Sequence, residues 1–183
     1  MTSSPSRGTE FYSYVQCALV VIGFAGTAAN ALILYALVAS KQHKKHVLIF
    51  NQNALDLFSS VFTIVTYSLK LCDIYLTGTI GYCLCALLLS DSLIGCGITG
   101  SVINLAVITI ERYLKVVHSV WSKKKLHKWM TYAAAAFAWI AAIIYNLPLV
   151  FTTTAVVDGV CYAYELWGNK MGRMIYTICK IAF

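Results

Sequence analysis

The stretch ITIERYLKVVHSVWSKKK, residues 108–125, closes a long apolar run with an adjacent acid–base pair, Glu111 and Arg112, then Tyr113 and a basic segment. In a water-soluble domain such a pair is an ordinary solvated helix end. At the end of a membrane-crossing helix it marks one face of the bilayer. The flanking sequence decides between the two.

Of the 183 residues, 60% are hydrophobic and 11% charged, and the mean hydropathy is +0.74. A soluble domain carries about 25% charged residues. Phe11–Ser40 and Trp129–Val157 contain no Asp, Glu, Lys or Arg. Val47–Leu69 contains only Asp56, and Ile74–Ile110 only Asp91. Each run exceeds the roughly 20 residues that a spanning helix needs. No apolar–polar alternation persists, and an open sheet leaves its backbone unsatisfied in lipid. The expected fold is therefore all-α, a multi-pass transmembrane helix bundle. Its spans are expected at about 12–39, 47–71, 80–117 and 129–151, with the start of a fifth at 172–183. Residues 1–10 are polar and expected to form a disordered outer tail.

Charge sets the orientation, because Lys and Arg concentrate in cytoplasmic loops. The first loop holds Lys41, Lys44 and Lys45. The stretch after the third span holds Arg112, Lys115, Lys123, Lys124, Lys125 and Lys128, which brings the two loops to nine of the 14 basic residues. This places the N-terminus outside a plasma membrane. The net charge of +7 then reflects topology and attraction to anionic lipid rather than nucleic acid. Small residues that let helices approach recur as Ala134, Ala138 and Ala142, and as Gly23, Gly26, Ala28 and Ala29. Pro148, near the outer end of span four, is expected to kink or end that helix.

Polar residues inside spans are costly and point to function or to hydrogen-bonded packing. Asp56 sits mid-span, flanked by Asn51 and Asn53, and Asn30, Ser101 and Asn104 lie within spans one and three. A carboxylate with hydroxyl and amide neighbours could hold a hard cation through oxygen ligands, or could belong to a structural network. Asp91, in the outer third of span three, either faces an extracellular cleft together with Ser92 and Gly95, or snorkels to the outer interface.

These residues carry a family pattern. Asn30, the segment NQNALD ending at Asp56, SVINLAVITIERY ending at Tyr113, and Trp139 with Pro148 downstream occur in order on successive spans. Each alone is common. Together the chain resembles a rhodopsin-like (class A) G-protein-coupled receptor from the first span to the start of the fifth. The resemblance implies that Glu111, Arg112 and Tyr113 form an inner-face switch, with Arg112 meeting a heterotrimeric G protein. It implies that Asn30, Asp56, Ser101 and Asn104 form an activation network with a possible sodium ion at Asp56, and that Trp139 and Pro148 pack helix four. It further implies a disulfide from Cys161 to the top of helix three. The family position for that partner is Leu87 here; Cys85 stands two residues off, and Cys83 four but on the same helical face.

Departures are visible too. Asn53 replaces the usual Ala of the helix-two motif, and the Trp usual in the first outer loop is absent. Ile94 stands where amine receptors of the family carry Asp, which disfavours a biogenic amine and leaves a peptide or another small molecule. RYLKVVH is similar to peptide-type members. A chain of four and a half helices is expected to be an incomplete receptor. The rival is a four-span scaffold or adhesion protein without signalling, which offers no reason for Glu-Arg-Tyr. No enzyme motif is present: there is no His/Glu metal set, Ser/His/Asp set or phosphate loop.

Overall fold

A computed structural model of the protein describes residues 7–43, 45–72, 78–118, 128–157 and 160–163. The expected fifth span, Lys123–Lys125 and residues 1–6 lie outside them. The described chain forms α1 (Arg7–Ala39), α2 (Val47–Leu71), α3 (Gly78–Leu84) continuing into a π-helical turn (Cys85–Leu89), α4 (Ser92–Val117), α5 (Lys128–Thr153) and a short hairpin, β1 (Thr154–Val157) and β2 (Val160–Ala163). Four stretches are long and apolar enough to cross a membrane: Phe11–Ala39, Val47–Leu71, Gly78–Val117 and Trp129–Asn146.

The packing is inverted relative to a soluble domain. The buried positions among the described residues are mostly small or polar, including Ala135, Ala138, Ala142, Thr66, Ser90, Ser92 and Asn104. Large apolar side chains point outward: Ile22, Phe24 and Leu32 on α1, Ile98 and Leu105 on α4, Phe137 and Ile144 on α5. Lipid makes that arrangement stable, because it solvates the large side chains while small ones let backbones approach. A Cβ added at Gly23 would lie 2.8 Å from Ile64 Cγ1, and one at Gly26 would lie 2.6 Å from Ser60 Oγ. Those glycines therefore form the α1–α2 seam. Ala28 and Ala29, grouped with them on composition, are exposed.

Two other expectations change, and a third is narrowed. Residues 7–10 are helical rather than disordered, since extending an existing helix costs little compared with starting one. Of the two outcomes expected at Pro148, a kink or an end, the helix does not end there: α5 runs through it to Thr153. Span three is not one continuous helix. It breaks at Ser90–Asp91, where Asp91 takes a left-handed conformation with φ 59°. The π turn ends with Ser90 N–H bonded to Cys85 O at 3.0 Å, and Asp91 N–H reaches Leu88 O at 3.1 Å. The buried Thr66 hydroxyl donates to Leu88 O at 3.2 Å from α2. Backbone oxygens loosened by the break thus keep partners, as an apolar surrounding demands.

The break explains the cysteine spacing. Cys85, the first residue of the π turn, is disulfide-bonded to Cys161 on β2, with Cα atoms 5.5 Å apart; Cys83 is a free, exposed thiol. A π turn holds more residues per turn than an α-helix, and the left-handed Asp91 interrupts the helix after it. A count made along an unbroken helix therefore misplaces the cysteine by about two residues. The hairpin is antiparallel, with Val156 opposite Cys161 and Thr154 opposite Ala163. Replacing Cys85 or Cys161 with Ser should lower stability by about 2–4 kcal/mol, whereas Cys83→Ser should leave it unchanged. Thermal unfolding of the purified protein, with peptide mapping under non-reducing conditions, checks both.

Candidate functional site

The interior of the bundle holds a continuous polar cluster contributed by α2, α4 and α5. Its centre is Asn104, which is fully buried. Asn104 Nδ2 donates to Leu48 O at 3.0 Å and to Gln52 Oε1 at 2.8 Å. Its Oδ1 accepts from Asn51 Nδ2 at 2.9 Å. Asn51 Oδ1 in turn accepts from Trp139 Nε1 on α5 at 2.9 Å. Trp139 is steadied by an edge-on contact with Phe58, their ring centroids 5.5 Å apart.

On its other side the cluster reaches the carboxylate. Gln52 Nε2 lies 3.2 Å from Asp56 Oδ2 and 3.4 Å from Oδ1, and also donates to Ser101 Oγ. Ser101 Oγ donates to Asp56 Oδ1 at 2.7 Å. Asp56 and Ser101 meet, as the sequence pattern suggests. The group that lies against both is the Gln52 amide. A metal cation would need lone pairs aimed at it. Gln52 aims two N–H bonds there instead, while its carbonyl oxygen is turned to Asn104.

Glycines make this approach possible. A Cβ at Gly97 would lie 2.6 Å from Ser59 Cβ and 3.1 Å from Ser59 Cα and N. One at Gly100 would lie 2.8 Å from Leu55 Cδ2. On the other side of α4, Asn146 Nδ2 of α5 donates to Thr99 Oγ1 at 3.2 Å and to Ala142 O at 2.8 Å.

The remaining residues singled out from the sequence fall elsewhere. Asn30 Nδ2 donates to Gly26 O of its own helix at 2.9 Å and does not join the cluster. Asn53 likewise donates to Ile49 O at 2.8 Å. Asp91 is ion-paired. Both its oxygens lie 2.9 Å from Lys70 Nζ, an ion pair between α2 and the start of α4. Ser92 is buried, and a Cβ at Gly95 would lie 2.8 Å from Asn146 Oδ1.

At the opposite end of α4, Glu111 does not pair with its neighbour Arg112. It binds Lys115, with Nζ 2.6 Å from Oε1. Adjacent residues on a helix point in different directions, whereas residues four apart share a face. Arg112 and Tyr113 are exposed, and the Tyr113 ring stands edge-on to His118, centroids 6.5 Å apart.

Two partners had no place in the sequence-derived site, Gln52 and Lys70. Gln52 lies four residues before Asp56, so its shared face was readable. Lys70 and Asp91 are 21 residues apart across a connector, and nothing local links them.

The arrangement is that of a multi-span helical membrane protein with a polar interior. Residues 29–183 match the family model for the 7 transmembrane receptor (rhodopsin family). The chain belongs to that family, the class A G-protein-coupled receptors, and is not an enzyme. It is 27% identical over 171 residues to mouse (Mus musculus) C-C chemokine receptor type 8, covering 91% of this chain and 46% of that receptor. It is 27% identical over 159 residues to melatonin receptor type 1C of Xenopus laevis, covering 85% and 36% respectively. It is 25% identical over 192 residues to mouse galanin receptor type 1, covering 99% and 53%. The chain thus spans about half the length, or somewhat less, of the curated relatives it matches.

Proposed function

We propose that the protein transmits an extracellular ligand signal to a heterotrimeric G protein through the Glu111-Arg112-Tyr113 end of α4. The observation that carries this is the state of Arg112. It is an exposed cation at the end of a spanning helix, and its neighbouring carboxylate is already committed to Lys115. A guanidinium so placed is available to an incoming partner. The basic residues of the first loop and of the stretch after α4 put these ends in the cytoplasm. The N-terminus and the hairpin that carries Cys161 are then outside, where an oxidising compartment supports a disulfide.

The ligand is a peptide or a non-amine small molecule. Ile94 supplies no carboxylate, and Asp91 is engaged by Lys70. The relatives reported above are named for a C-C chemokine, galanin and melatonin.

The test is resonance energy transfer between Gα and Gβγ in cells displaying the protein, challenged with peptide and small-molecule collections. An antibody to an N-terminal epitope on intact cells checks orientation. Ligand-dependent separation of the subunits is expected. Protein at the surface that activates no Gα class under any ligand, or an epitope reached only after permeabilisation, overturns the reading.

A further inference from the structure

The polar cluster has a direction, and the direction determines what Asp56 can bind. An indole N–H only donates. Trp139 therefore forces Asn51 to present its oxygen to α5 and its NH2 to Asn104. Asn104 must then turn its own oxygen to Asn51, which leaves its NH2 for Leu48 O and Gln52 Oε1. Gln52, its oxygen so engaged, has only its NH2 to give to Asp56 and Ser101. Rotating any one of the three amides would set donor against donor and acceptor against acceptor. The orientation of Gln52 is thus fixed from a residue 88 positions downstream of Asn51.

From this we infer that the Gln52 amide is a built-in substitute for a cation at Asp56, and that the Asp56 site of this protein works without sodium. The two N–H bonds lie against both carboxylate oxygens and the Ser101 hydroxyl, the set of oxygens that would otherwise coordinate an ion. Their positive ends satisfy the carboxylate and repel a cation. A sodium ion could enter only if Gln52 swung away, which would leave one of the two Asn104 Nδ2 protons without its acceptor in a buried position. The inference concerns the resting protein and does not depend on G-protein coupling.

Thermal unfolding of the purified, detergent-solubilised protein tests it, in a sodium chloride series held at constant ionic strength with choline chloride. The wild-type protein should show no sodium-specific shift. Gln52→Leu, which removes the amide protons, should gain a saturable rise of about 2–4 °C at sodium concentrations well above its dissociation constant. Adding Asp56→Asn should abolish that rise. Gln52→Glu is nearly isosteric and keeps an oxygen for Asn104. It should gain the same response, with broadening of the 23Na resonance, and it carries the test if Gln52→Leu does not fold. A saturable sodium-specific rise in the wild-type protein that Asp56→Asn removes would overturn the inference. So would a wild-type protein and a folded Gln52 variant that are equally indifferent to sodium, because Gln52 would then not be what excludes the ion.

Discussion

Alanine in place of Arg112 should cut ligand-driven G-protein activation about 10- to 100-fold while leaving the amount of protein at the cell surface unchanged. The two halves of this expectation come from the same geometry. Arg112 is exposed, and the ion pair beside it joins Glu111 to Lys115, so truncating Arg112 opens no cavity and orphans no buried group. Surface substitutions of that kind change stability by about 0.5 kcal/mol or less. A charge-assisted hydrogen bond made to a partner is worth about 1.5–3 kcal/mol, which corresponds to a loss of about 10- to 100-fold in coupling. Surface labelling and nucleotide exchange on the same cells check the two halves together. Unchanged exchange would remove Arg112 from the signalling role.

The second large effect is structural. Gly97→Val should separate α2 from α4 and cost about 3 kcal/mol or more, above the usual range for overpacking. The reason is what the new side chain would meet. At Gly97 the obstacle includes Ser59 Cα and N, backbone atoms of a helix that cannot step aside. At Gly100 the nearest atom is Leu55 Cδ2, the far end of a side chain with other rotamers. Gly100→Ala should therefore be milder than Gly97→Ala, and Gly97→Val the most damaging of the three. Ala28→Val, facing outward from α1, serves as the neutral control. Melting temperature and surface expression should rank the four variants in that order. Equal loss at Gly97 and Ala28 would mean that the α2–α4 approach does not limit stability.

The helices were legible because lipid imposes a length and a composition on every span. Runs such as Phe11–Ser40 admit little else. The site was legible in part. Asp56, Ser101 and Asn104 stand out as polar groups in apolar surroundings, and Trp139 stands out by its distance from the Pro148 that follows. What joins them was not legible. The hydrogen bonds from Asn51 to Asn104 and Trp139 cross 53 and 88 residues. Their polarity follows from which atoms face each other across helices, a property no local pattern encodes. The break at Asp91 was hidden for a related reason. Left-handed Asp is a turn conformation on propensity alone, yet here it occurs within a run whose composition reads as one uninterrupted span. Lys70, on a neighbouring helix, supplies the charge that holds it. Glu111 and Arg112 are adjacent in the chain, yet Glu111 pairs one helical turn on, with Lys115.

The bond between Cys85 and Cys161 also changes the topology of the chain. It closes a loop across a separation of 76 residues, and that loop contains all of α4 and α5. The molecule is a covalent ring with chain running on from both sides of it, not a string of helices. α4 and α5 are threaded into the ring and cannot part at the hairpin end even when their packing is lost. α1 and α2 lie outside it: α1 rests on α2 at the Gly23–Gly26 seam, and α2 is held to the ring by the Gly97 approach, the polar cluster, the Thr66–Leu88 hydrogen bond and the Lys70–Asp91 pair. A single cut between α4 and α5 would leave two fragments still joined as one molecule. A cut between α2 and α3 would leave the first two helices held to the rest by noncovalent contacts only.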